Sequence, residues 1–179
     1  MAQRGLAVFM RPIVSALFLA FGVLVIVQGQ SAPDAKTQAQ LKRLFPKANA
    51  FSAKGGEPPH FKALLDGASG AQTVGYAFWT TEVEPDERAY DGPIRMLVGM
   101  DTKGILTGII VVEHHEPYGY FSIQPTEFAA QFKGKDIRKP FKVDAVSQAT
   151  ISITSATRAI RNSAIRVARA FLVPPGTTQ

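Results

Sequence analysis

The chain of 179 residues has no cysteine, which excludes disulfides, thiolate-bound iron–sulfur clusters, thiolate zinc sites and cysteine nucleophiles together. Any redox chemistry must therefore come from a bound cofactor. Acids are few, 14 against 20 lysines and arginines, but the basic residues are scattered and no basic stripe interleaved with aromatics occurs, so no nucleic-acid partner is expected. There is no Gly-x-Ser-x-Gly elbow, and Gly67-Ala68-Ser69-Gly70-Ala71-Gln72 lacks the spacing of a phosphate-binding glycine loop. No internal repeat or low-complexity run is present. The length suits one globular domain with its own core.

What stands out first is the N-terminus, where Arg4 and Arg11 precede an uncharged apolar run over residues 13–27. Its 15 residues lie between a signal-peptide core and the roughly 20 residues of a full span. A cleaved signal and a retained anchor both fit that length. Val27-Gln28-Gly29 tolerates cleavage, whereas Pro33 after Ala32 argues against a cut there. The expectation is a single-pass anchor in the cytoplasmic (inner) membrane, with the arginines holding the N-terminus inside and the domain in the periplasm.

Beyond it, residues 34–45 place Leu41, Leu44 and Phe45 on one helical face ahead of Pro46, which predicts a short juxtamembrane helix. Residues 60–65 read as a strand and 67–72 as a turn. Residues 73–83 are rich in β-branched and aromatic types, and 94–101 with 105–116 form a hairpin about Thr102-Lys103-Gly104. The near-continuous apolar character of these last strands predicts a sheet covered on both faces. A short helix is expected over 125–132. A helix of about five turns follows, with Ile153, Ala156, Ile160, Ala164, Val167 and Phe171 on one side and Arg158, Arg161, Arg166 and Arg169 on the other. The expected fold class is α+β, a twisted antiparallel sheet with packed helices. The expected organisation is a membrane segment at 1–30, helix and linker at 31–72, the domain at 73–173 and a tail at 174–179.

Two stretches carry candidate chemistry. Glu113-His114-His115-Glu116 contains ordinary metal ligands, yet adjacent strand residues face opposite ways and cannot readily clasp one ion. An edge-of-sheet pair, one ring inward and one solvated, is the plainer reading. Asp144-Ala145-Val146-Ser147-Gln148-Ala149-Thr150-Ile151-Ser152 runs into the long helix. Its hydroxyls suit helix capping, and they equally suit an anion at the helix's positive end.

The segment Asp144 to Thr150 resembles the flavinylation motif of the FMN-binding domain family, found in exported flavoprotein subunits of the sodium-pumping NADH:quinone reductase and Rnf complexes and in regulators of nitrous oxide reductase. Tyr90-Asp91-Gly92-Pro93-Ile94, Val98-Gly99-Met100-Asp101, Gly104 through Val112, and His115-Glu116-Pro117 resemble further stretches of that family in order. The doubled histidine is closest to the nitrous-oxide-regulator type. Together these cover about residues 73 to 160.

The resemblance implies FMN as cofactor, attached by a phosphoester to Thr150 by a separate flavin transferase with FAD as donor. The protein would then be an electron carrier of a membrane redox complex rather than a stand-alone enzyme. Asp144 and Ser147 are expected to organise the turn, Ala149 to leave room beside the phosphate, Ser152 or Thr154 to donate to it, and His115 and Glu116 to lie near the isoalloxazine. Gln148 stands where the family has glycine. It motivates the alternative of a flavin-free structural or regulatory subunit of a larger membrane complex, in which Ile165 and Leu172 touch a transmembrane neighbour.

Overall fold

Strand β4, Arg95–Asp101, is buried along its whole middle, so both of its faces must meet apolar partners. Alternation of side chains across a strand divides them. Met96, Val98 and Met100 enter one core with Ile153, Ala156, Ile160, Ala164 and Val167. Leu97 enters a second core, on the other face, with Leu41, Leu44 and Phe45. A computed structural model describes residues 32–67, 70–140, 142–144 and 149–172. The apolar run 13–27, Ser147, Gln148 and the tail lie outside the described residues, among which no helix is long and apolar enough to cross a membrane.

The sheet runs β1-β2-β3-β4-β5 with every neighbour antiparallel. Its other strands are β1 (Ala50–Phe51), β2 (Phe61–Gly67), β3 (Gly70–Trp79) and β5 (Leu106–Glu113). Sequence order equals spatial order, as tight turns permit for antiparallel neighbours. At the β4–β5 turn, Asp101 Oδ1 accepts from the N–H groups of Lys103 and Ile105, both at 2.8 Å, and Gly104 takes the positive φ of 81° that closes it.

Helix α1 (Ala35–Leu44) is capped by Asp34, which accepts from Thr37 N–H at 2.9 Å. It packs onto the sheet, and Phe45 lies over Gly75 and Gly99; a Cβ at Gly75 would collide with the Phe45 ring and stand 2.6 Å from the Met100 carbonyl oxygen. Residues 35–67, expected ahead of the domain as helix and linker, thus supply a helix and two strands to the same layered fold. Apolar burial explains this: Leu41, Leu44, Phe45 and Phe61 cover the sheet face opposite the one that packs Ile153, Ile160 and Val167.

The third strand ends earlier than its composition suggests. Residues Thr80–Val83 form one helical turn, α2, because the buried Thr80 hydroxyl turns toward β4, donating to Ile94 O at 2.9 Å and accepting from Met96 N–H at 3.0 Å. Short helices α3 (Gly119–Ser122) and α4 (Thr126–Ala130) follow β5. Helix α5 (Thr150–Phe171) then crosses the sheet with nine buried residues. Fully burying a side chain such as Ile160 contributes about 1.5–3 kcal/mol. Arg158 grips Glu87 through two carboxylate oxygens at 2.8 and 2.9 Å, and Arg166 donates to Val83 O at 2.9 Å, so the loop after α2 is tied to the helix.

Candidate functional site

Three segments far apart in sequence meet at the amino end of α5. β5 stops at Glu113, and three residues later Glu116 turns inward and is 5% exposed. Its carboxylate accepts from Asp91 N–H at 2.8 Å, from Tyr90 N–H at 3.3 Å, and from the Ser152 hydroxyl. A buried carboxylate needs such donors. They join the turn at 90–91, the segment after β5 and the first turn of α5 into one unit.

Beside this unit lies a hollow of about 550 Å³, lined by Tyr90, Glu116, Pro117, Tyr118, Ala149, Thr150, Ile151 and Ser152. Thr150 is exposed there as the first residue of α5. The N-cap is Ala149, which has no side chain able to cap, and the helix's first bond runs from Ile153 N–H to Ala149 O at 3.2 Å. The N–H groups of the first turn therefore precede the intrahelical ladder, where a phosphate is favoured. Tyr90, Tyr118 and Ile151 on the rim are 70%, 66% and 59% exposed. Tyr120 and Phe121, on the adjoining α3, are as open. Of the exposed large hydrophobics among the described residues, only Leu65 lies elsewhere. Concentrated apolar exposure of this kind marks a ligand or partner site.

The expected site residues separate. Thr150, Ala149, Ser152 and Glu116 line the hollow together. The Ser152 hydroxyl, expected to donate to a phosphate, donates to Glu116 instead. Thr154 lines a different groove, with Lys142, Val143 and Arg158. Asp144 is exposed, its backbone held by the Gln131 amide: Asp144 N–H donates to Gln131 Oε1 at 2.7 Å and Gln131 Nε2 donates to Asp144 O at 3.1 Å. His115 is exposed and outside the hollow, whereas His114 is half-buried, with both ring nitrogens lacking a partner and the ring pressed on Gly119. Burial pushes the His114 pKa below its ordinary value, against the opposing pull of Glu116. Among the described residues no group of three histidines, cysteines or acids could hold a metal ion. Missed from sequence were Tyr90, Pro117, Tyr118 and Ile151. For Pro117 and Tyr118 the signal was the dense aromatic run Pro117-Tyr118-Gly119-Tyr120-Phe121; Tyr90 and Ile151 carried none.

Residues 89–164, which include every residue lining the hollow, match the FMN-binding domain. This part of the chain belongs to the FMN-binding domain family. The cofactor of the FMN-binding domain is FMN. Over 128 residues the chain is 34% identical to a component of the ion-translocating oxidoreductase complex of Yersinia pestis, covering 64% of this chain and 58% of that one. It is 30% identical over 171 residues to the regulatory protein NosR of Pseudomonas aeruginosa, covering 84% of this chain and 23% of that one. The NosR of Stutzerimonas stutzeri is 27% identical over 154 residues, 78% of this chain and 20% of its own. The chain thus spans about a fifth of the length of the regulators it matches.

The residues present fit FMN. The exposed Thr150 hydroxyl and the start of α5 suit its phosphate, and the rim of Tyr90, Tyr118 and Ile151 suits a flat, largely apolar ring system.

Proposed function

We propose that the chain is a membrane-anchored, extracytoplasmic electron carrier whose FMN is esterified to Thr150. The observation that carries the reading is the position of Thr150. Its hydroxyl-bearing side chain is exposed at the first turn of a 22-residue helix, in a hollow rimmed by aromatics. Attachment from FAD balances simply: the Thr150 oxygen forms a bond to the FMN phosphorus, the bond to AMP breaks, and AMP leaves while the hydroxyl proton is lost. A separate transferase supplies the acid–base groups for that step. Bound FMN supplies reversible electron acceptance. This chain's residues hold it: the first-turn N–H groups offset the phosphate charge, Glu116 keeps the turn at 90–91 against α5, and the rim shields the ring from water.

Covalent attachment suits a domain outside the cytoplasm, where a dissociated cofactor would be lost. The apolar run at 13–27 behind Arg4 and Arg11 supports that side of the membrane. Membrane redox partners and the transferase belong to the same reading, supported by the likeness to a component of an ion-translocating oxidoreductase complex. Co-production with a flavin transferase should give a protein heavier by FMN less one water, fluorescent in a denaturing gel. Thr150→Ala should have the unmodified mass, and Thr150→Ser should be modified. An unmodified wild-type chain, or a modified Thr150→Ala, would refute the attachment.

A further inference from the structure

A second cavity lies at the other end of α5. With about 650 Å³ it is larger than the hollow of about 550 Å³ at Thr150, and 11 to 22 residues of helix at 1.5 Å each put its α5 lining roughly 16–33 Å away along the axis. One wall is the β4–β5 turn, pinned to the loop after α4 by hydrogen bonds from Leu106 N–H to Lys135 O at 2.9 Å and from Ile137 N–H to Gly104 O at 3.1 Å. The other wall is the last half of α5. The cavity is therefore preformed.

Its lining has two characters. The floor is aliphatic, made by Ile137, Ile165, Ala168 and Leu172. The rim is cationic, with Lys103, Arg138, Arg161 and Arg169 and no acidic side chain. Arg138 is neutralised by Asp136 at 2.8 Å, but among the described residues no acid pairs with Lys103, Arg161 or Arg169. Three uncompensated cations around an aliphatic floor complement one chemical class, an anion attached to a hydrocarbon chain.

We infer that this cavity binds an anionic phospholipid of the membrane surface, seating the acyl region on Ile165 and Leu172 and the phosphate between Arg161 and Arg169. A protein partner is disfavoured because the lining pairs its arginines with no tryptophan or tyrosine anchor, and soluble phosphate would have no use for the aliphatic floor. The choice of a membrane rather than a free amphiphile rests on the anchored reading proposed above. The consequence is orientation. With the carboxyl half of α5 on the bilayer, Thr150 and its hollow lie at the other end of that helix.

The full chain, which has no cysteine, takes a single label as Thr102→Cys carrying an environment-sensitive fluorophore at the cavity mouth. In nanodiscs of phosphatidylcholine containing phosphatidylglycerol its emission should shift to the blue relative to discs of phosphatidylcholine alone. The shift should shrink at high salt. Each cation near an anionic surface is worth about fivefold in affinity, so Arg161→Glu with Arg169→Glu should weaken binding roughly 25-fold or more and abolish the shift, while the corresponding double alanine variant gives an intermediate one. Three outcomes would each overturn the proposal: equal emission in both discs, a double glutamate variant of native circular dichroism that shifts like wild type, or the same shift from inorganic phosphate in phosphatidylcholine discs. A shift seen only in native membranes would likewise overturn it, in favour of a protein partner. Thr150→Ala should keep the shift, so failure of the flavin reading and failure of this one are separate observations.

Discussion

Replacing Glu116 by alanine removes the acceptor of two backbone N–H groups and of the Ser152 hydroxyl. Hydrogen bonds to a charged group contribute about 1.5–3 kcal/mol each. Water reaching the vacated space through the hollow offsets part of the loss, and about 3–4 kcal/mol remains. At about 2–4 °C per kcal/mol for a chain of this size, Tm should fall by roughly 6–16 °C. Glutamine should cost less, about 1–2 kcal/mol. Its carbonyl can take the place of Oε1 and keep the Asp91 bond, while Ser152 turns its hydroxyl to accept from the new NH2 and only the longer Tyr90 contact is lost. Ser152→Ala should cost about 1 kcal/mol, and the Glu116→Ala/Ser152→Ala double variant should cost at least about 1 kcal/mol less than the sum of the singles. The assay is urea unfolding followed by the fluorescence of Trp79, the only tryptophan and buried in the core below α1. Glu116→Ala within about 0.5 kcal/mol of wild type, or glutamine as harmful as alanine, would show that this carboxylate does not hold the site together.

Stability should also fall with acid before the carboxylates titrate. Burial pushes the pKa values of His60 and His114 below the ordinary 6.5, so above that pH both states are neutral and stability is full; as pH falls through 6.5 the unfolded chain binds protons that the folded one refuses. The urea midpoint should drop between about pH 7.5 and 5.5, with a smaller drop in His60→Leu and in His114→Leu; a flat profile would contradict the burial of both rings. Gly75→Ala should cost about 3 kcal/mol or more, because the added Cβ meets the Phe45 ring and, at 2.6 Å, the Met100 carbonyl; retention of the wild-type urea midpoint would mean that α1 does not sit on the sheet as described.

Much of this was legible locally. A period of 3.6 residues marks α5, apolar runs bounded by a Thr-Lys-Gly turn mark the β4–β5 hairpin, and the place of Thr150 just ahead of the helical pattern put it at the helix start, because each of these is a property of neighbours in the chain. The sequence by itself also excluded thiol chemistry, for want of any cysteine. What only the tertiary structure decided depends on contacts between distant segments. Glu116 meets Ser152 across 36 residues and Asp91 across 25, a pairing to which no periodicity points. The same holds for residues 35–67: Leu41, Leu44 and Phe45 form an apolar stripe on any reading, but whether such a stripe faces a bilayer or a sheet depends on whether a sheet face lies bare to receive it, and glycines at 75 and 99 leave the room for Phe45 to settle there.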